Sequence, residues 1–207
     1  SMNDKEAELA RLMFIFSCFT GLAISDMENL KYKHIQTAAD GQMYIRKERQ
    51  KTKVEFVVPL HPIAEAIINY YRKELARNEE QQTVKEKGDS LVFQPHCSRS
   101  VMGKNLSIVG KACGIRQRLS YHVARHTFGT MSLSAGIPIE SIAKMMGHAS
   151  ISSTQVYAQV TDRKISEDMD RLIAKYKAKD KNTTNAKTNT KTIPLVVNSN
   201  DRKEETA

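Results

Sequence analysis

Leu9, Leu12, Met13 and Phe16 recur at intervals of three and four, so the first twenty residues predict a buried helix. Asp26 is placed to cap a short second helix that ends near Lys31. The period then drops to two. Ile35, then Met43 and Ile45 after an Asp40-Gly41 turn, and then Val54, Phe56 and Val58 alternate as strands, with Pro59 closing the last. Residues 31–60 therefore predict a small antiparallel sheet with the charged segment 47–53 as a hairpin loop. Pro62 opens a helix whose buried side carries Ile63, Ala66, Ile67 and Tyr70. Past a polar loop at 78–89, helices are expected at 101–113, 121–134, 139–146 and 152–157. Gly114, Gly136 and Gly147 serve as C-terminal stops and Pro138 lies in a first helical turn. A last amphipathic helix, 162–177, gathers Ile165, Met169, Leu172, Ile173 and Tyr176 on one side. Residues 179–207 turn polar and read as a flexible tail, in which 193–197 is an apolar patch suited to dock as a strand on a neighbour.

The expected fold is mainly α with a small three-stranded antiparallel sheet. Composition agrees: 207 residues, 40% hydrophobic and 27% charged, can bury a core without disulfides or a structural metal. Charge adds a partner. Thirty-two basic against 23 acidic residues leave a net +9, which favours polyanions, nucleic acid before anionic membrane. Cys18, Cys97 and Cys113 are an odd number with no C-x-x-C, which suits a reducing cytoplasm and argues against a disulfide framework or a zinc knuckle. The apolar stretch 12–24 is too short to span a bilayer, and Asp4, Glu6 and Glu8 before it have the wrong sign for a signal peptide. A soluble, cytoplasmic protein with no membrane contact is expected. Ser1-Met2 reads as a tag-cleavage scar at the head of a fragment whose N-terminal DNA-binding domain is missing, with a catalytic domain over 3–178.

Dinucleotide and P-loop signatures do not occur, and His and Cys lack zinc-ligand spacing, so no cofactor and no metal are expected. The chemistry concentrates in Leu119-Ser120-Tyr121-His122-Val123-Ala124-Arg125-His126-Thr127-Phe128. On a helix, His122, Arg125 and His126 share a face, two imidazoles around a guanidinium whose fork of donors suits phosphate oxygens. Taken singly, such a cluster also suits a solvated polar face, and Tyr157 suits a core position.

Together the motifs say more. The H-x-x-R-H-T-F run, then G-I-P-I-E-S-I-A-K-M-M-G-H (136–148), then T-x-x-Y-A around Tyr157 closely resemble the catalytic half of the tyrosine recombinases, the phage-type integrases. Phe19 to Asp26 resembles the segment that carries the family's first arginine, and Gln50-Lys51-Thr52-Lys53 its hairpin lysine. The resemblance covers residues 5–178. It implies the DNA breaking-rejoining catalytic fold and site-specific recombination that integrates or excises a mobile element through a 3′-phosphotyrosine. Tyr157 would be the nucleophile, Arg125, His122 and His148 phosphate or proton-transfer groups, and Lys51 the acid for the 5′-oxygen. Lys53 is the fallback acid, and His126 and Asp26 are supporting residues. It also implies double-stranded DNA attachment sites, a homotetramer in the synaptic complex, a host DNA-bending protein as a further partner, and nucleoid association in a bacterium. One position departs from the pattern: Ala23 occupies the place of the first arginine and cannot bind phosphate. Lys31, Lys33 and Arg46 are the candidate replacements. The alternatives are a catalytically degenerate DNA-binding relative, in which 121–146 serves as a helix-turn-helix, and a type IB topoisomerase-like enzyme.

Overall fold

The first helix, α1 (Asp4–Thr20), buries Leu9, Met13 and Phe16, as its spacing predicts. Against it pack α3 (Pro62–Asn78), α4 (Arg99–Ala112) and α5 (Tyr121–Ser134). This is the computed structural model of the chain, and it describes residues 4–78, 88–94, 97–157 and 162–184. Phe16, Phe93 and Tyr71 fill the centre edge to face, with ring centroids 5.1 and 5.3 Å apart.

A three-stranded antiparallel sheet, in the order β1 (Ile35–Thr37), β2 (Met43–Glu48) and β3 (Glu55–Pro59), closes one side of this core. Ile45 is paired with Ile35 on one side and Val58 on the other, and Ile45, Phe56 and Val58 are buried. The alternation therefore gives a half-buried sheet. The short helix α6 (Ile139–Met146) lies against β3, with Ile142, Ala143 and Met146 buried. After it come α7 (Ser152–Gln155) and, in a separate compact unit from Val160 onward, α8 (Asp162–Thr184). The fold is thus mostly helical with a small antiparallel sheet.

Four expectations need correction. The buried side of α3 carries Ala64, Ile67, Ile68 and Tyr71, while Ile63, Ala66 and Tyr70 are exposed, so the helix is rotated by about one residue from the expected face. Asp26 is not a helix cap. The second helix, α2, spans Ile24–Glu28 with Ala23 as its N-cap, and Asp26 lies inside it, buried, because its carboxylate is used by the hairpin. Helix α7 stops at Gln155, short of Tyr157. Helix α8 continues to Thr184, so residues 179–184 are helical and not tail; Lys179 to Thr184 contains no glycine or proline to end it. The loop expected at 78–89 falls largely, and the tail from 185 together with the 193–197 patch falls wholly, outside the described residues. On α8, Met169, Leu172, Ile173 and Tyr176 are all exposed. No described helix is long and apolar enough to cross a membrane.

Candidate active site

Helix α5 is pinned at its start. Ser120 Oγ accepts the Val123 N–H at 3.2 Å, a cap that contributes about 1 kcal/mol. The buried Tyr121 hydroxyl donates to the Ala10 carbonyl of α1 at 3.1 Å. With start and rotation set, the next turn presents His122, exposed, beside Arg125, buried, and His126, half-buried.

Arg125 spans two helix ends. Its Nη1 donates to the carbonyl of Gly21, just past α1, and its Nη2 to the carbonyl of Met146, at the end of α6, at 2.6 Å. Both acceptors precede or belong to glycine-stopped turns. At α6, Gly147 is left-handed (φ +60°), its N–H bonds the Lys144 carbonyl at 3.1 Å, and the His148 N–H bonds the Ala143 carbonyl at 3.0 Å. This closing motif satisfies carbonyls 143 and 144 and leaves those of Met146 and Gly147 facing outward. They are the negative end of the helix dipole and attract guanidinium groups. Burial drives the Arg125 pKa down to about 10, with the charge of Arg49 as the second cause, so it is still a cation at neutral pH.

The Gly147 carbonyl is taken by the hairpin tip: Arg49 Nη1 donates to it at 3.3 Å and Thr52 Oγ1 at 3.0 Å. A Cβ at Gly147 would meet Arg49 Cδ at 3.2 Å, so the Arg49 side chain packs directly on this glycine. Asp26 holds the same tip from the other side. Its Oδ1 accepts the Gln50 N–H at 2.9 Å and its Oδ2 faces Arg49 Nε at 3.7 Å.

The turn after Gly147 brings in His148, whose Nδ1 lies 2.7 Å from Thr154 Oγ1 of α7. Burial, then Arg125 and Arg49, push the His148 pKa down to about 4, so the ring is neutral at pH 7. Tyr157 follows α7, its N–H on the Thr154 carbonyl at 3.0 Å. Its ring lies on Gly129 of α5, where an added Cβ would be 2.7 Å from ring carbons. The His126 ring meets it edge to face at 5.2 Å, and His126 Nε2 is 2.7 Å from His122 Nε2. Burial raises the Tyr157 pKa, and Arg125 and Arg49 pull it partly back.

The structure therefore assembles two linked groups. His122 and His126 of α5 form a chain of contacts with Tyr157, and Arg125 and His148 meet around the α6 terminus, to which Asp26 is joined through Arg49. Lys51 and Lys53 are exposed at the hairpin tip, Lys53 in the left-handed region at φ +57°, and neither makes an ion pair among the described residues. The three candidate replacements for the missing arginine lie elsewhere. Lys31 and Lys33 pair with Asp89 at 3.3 and 2.7 Å, and Arg46 pairs with Glu55 at 3.3 Å on the exposed side of the sheet. The basic side chain that does reach the site is Arg49. Strand parity carried a signal for it: Ile45 faces the core, Arg49 has the same parity, and Arg46 has the opposite one. Among the described residues, no three His, Cys, Asp or Glu side chains cluster to hold a metal ion.

The Phage integrase family model matches residues 2–164. Tyrosine recombinase XerA of Pyrococcus furiosus is 30% identical over 166 residues, 78% of this chain and 54% of that protein. Among solved structures, the XerH site-specific recombinase bound to palindromic difH substrate shares the fold with a TM-score of 0.60 at 19% identity, over 80% of this chain and 50% of that one. The Tn1549 transposon integrase in complex with transposon right end DNA does so with a TM-score of 0.55 at 19% identity, over 78% and 58%. The chain spans about half the length of the curated relatives it matches.

Proposed function

The chain belongs to the phage integrase family, and from that premise we propose that it cuts and rejoins DNA at specific sites through a covalent tyrosine intermediate. The observation that carries this reading is the seating of Tyr157 on Gly129 and His126, beside a buried arginine held by two helix ends. A structural tyrosine needs no such surroundings.

The chemistry follows from the groups present. Tyr157 Oη attacks phosphorus, the bond from phosphorus to the 5′-oxygen breaks, and a 3′-phosphotyrosine with a free 5′-hydroxyl results. Because its pKa is raised, the phenol is protonated at rest and must lose that proton as the new bond forms. His126, at the ring edge, and His122 beyond it offer a path for it. The 5′-oxygen needs a proton to leave, which the Lys51 ammonium supplies from the hairpin tip. Charge growing on the phosphoryl oxygens is met by Arg125, which moves no proton, and by a hydrogen bond from His148. Attack by another strand's 5′-hydroxyl reverses these steps and completes the exchange, with the bond energy conserved in the phosphotyrosine.

The partner is double-stranded DNA. A groove of about 430 Å³ runs from Ile24 past Arg99, Gly103 and Arg118 to Ser120 and His122, beside the site; Arg118 suits a phosphate backbone, while Arg99 is paired with Glu28 at 2.6 Å. The likeness to a transposon integrase favours integration or excision of a mobile element. The exposed apolar side of α8 suits packing on another protomer in a tetramer on two DNA sites.

The test is a trapping assay. Duplexes selected by the chain from a randomised pool are resynthesised with a nick at successive positions, so that cleavage loses a short strand. A denaturation-resistant protein–DNA adduct is expected, absent with Tyr157→Phe. Tight binding without an adduct would favour the binding-only relative.

A further inference from the structure

The transition state at phosphorus spreads charge over two non-bridging oxygens, and Arg125 has already committed a donor on each terminal nitrogen to a carbonyl. Ala23 contributes none. Arg49 is the cation that the fold adds. Its Nη1 donates to the Gly147 carbonyl, next in sequence to the Met146 carbonyl that holds Arg125. The two guanidinium groups thus share one helix end.

Hairpin tips ordinarily leave a long basic side chain in water. Here the Arg49 side chain is 13% exposed and faces an Asp26 carboxylate that is 2% exposed. Its Nε is buried with no hydrogen-bond partner, and among the described residues Nη1 is the one Arg49 side-chain nitrogen in a hydrogen bond. Burying an arginine with donors unused is costly unless something else takes them. Charge points the same way. Arg125 and Arg49 against the single carboxylate of Asp26, with His148 neutral, leave an excess of one positive charge, which a phosphodiester monoanion balances. Arg49 also perturbs His148 and Tyr157, so its field reaches the reacting groups. Finally, Asp26 is one turn of α2 from Ala23, whose carbonyl accepts the Asp26 N–H at 3.0 Å. Through Asp26 the Arg49 guanidinium is brought to the segment where an arginine is missing.

We propose that Arg49, delivered from the hairpin tip, is the second guanidinium that holds the scissile phosphate, and so the catalytic replacement for the arginine absent at position 23. The inference rests on the strand-cleavage reading. Arg49 stays protonated throughout: it donates hydrogen bonds to a non-bridging oxygen while the bond to Tyr157 forms and the bond to the 5′-oxygen breaks.

The experiment compares adduct formation on two nicked duplexes of the selected sequence, one with an ordinary scissile phosphodiester and one with a neutral methylphosphonate there. On the phosphodiester, Arg49→Ala is expected to slow cleavage on the order of 100-fold or more, as loss of one preorganised donor does. On the methylphosphonate, which is neutral before attack and offers one charged oxygen for Arg125 alone in the transition state, the same variant should stay within a few-fold of the unsubstituted chain. Arg49→Lys should recover part of the loss, and Ala23→Arg in the Arg49→Ala background should recover more. An equal loss on both substrates would reduce Arg49 to a brace for the hairpin, and no loss on the phosphodiester would remove it from the site; either overturns the proposal. No adduct from the unsubstituted chain on either duplex would instead overturn the cleavage reading, and the role of Arg49 with it.

Discussion

His148 shows how one residue's ionisation is set by its surroundings. Its pKa falls from an ordinary 6.5 to about 4, through burial first and then the repulsion of Arg125 and Arg49. A histidine with a depressed pKa binds its proton more readily when the chain unfolds. Its contribution to stability is therefore present above pH 6.5 and is lost as pH falls toward 4. Urea midpoints at pH 7 and pH 5 should drop less for His148→Gln than for the unsubstituted chain, since glutamine keeps a partner for Thr154 without titrating. A bound phosphate adds negative charge beside the ring and should raise this pKa, which NMR titration with and without DNA would read directly. In the free chain, then, His148 is a neutral hydrogen-bond donor or acceptor.

At the scale of elements, the site depends on close approach between helices and turns. Tyr157 reaches α5 because position 129 has no side chain. Gly129→Ala would put a methyl 2.7 Å from the ring, and the ring, not the helix, must give way. Alanine is a better helix former by about 1 kcal/mol, so the melting temperature should hold or rise slightly. With Tyr157 as the proposed nucleophile, adduct formation should nevertheless fall on the order of 100-fold, because a ring displaced by about 1 Å loses its line of attack. Thermal denaturation and the trapping assay on the same preparation separate the two effects. The hairpin obeys a similar logic. Asp26 on α2 and Gly147 after α6 hold its tip from two sides. The exposed Lys51 is thereby carried on a loop whose root is fixed.

For the whole molecule, charge bears on the proposed DNA binding. A net +9 with Arg118 in the groove beside His122 suits backbone contacts that release counterions. Binding should weaken roughly 1,000-fold between about 50 and 200 mM salt if about six phosphates are neutralised. Titrations at several salt concentrations give the slope, and a complex insensitive to salt would contradict a phosphate-reading groove. Arg49→Ala should lower that slope by about one unit if its guanidinium meets a phosphate.

Much of this was legible in the sequence, for reasons that are local. Periods of three to four and of two placed the helices and the sheet, since each reports which side of one element is buried. Spacing on a single helix put His122, Arg125 and His126 together, and Gly147 stopped α6 where a left-handed residue was needed. Tertiary structure decided which basic side chain would stand beside Arg125. Arg49 and Gly147 are 98 positions apart, and their meeting depends on α6 packing against β3, a contact that no period along the chain encodes. The same is true of Asp26, which reads as a cap by residue type but is buried to anchor the hairpin. Local rules fix that an element has an inward side; on α3 the packed fold chose Ala64, Ile68 and Tyr71 over Ile63, Ala66 and Tyr70, and everywhere it fixes what is waiting there.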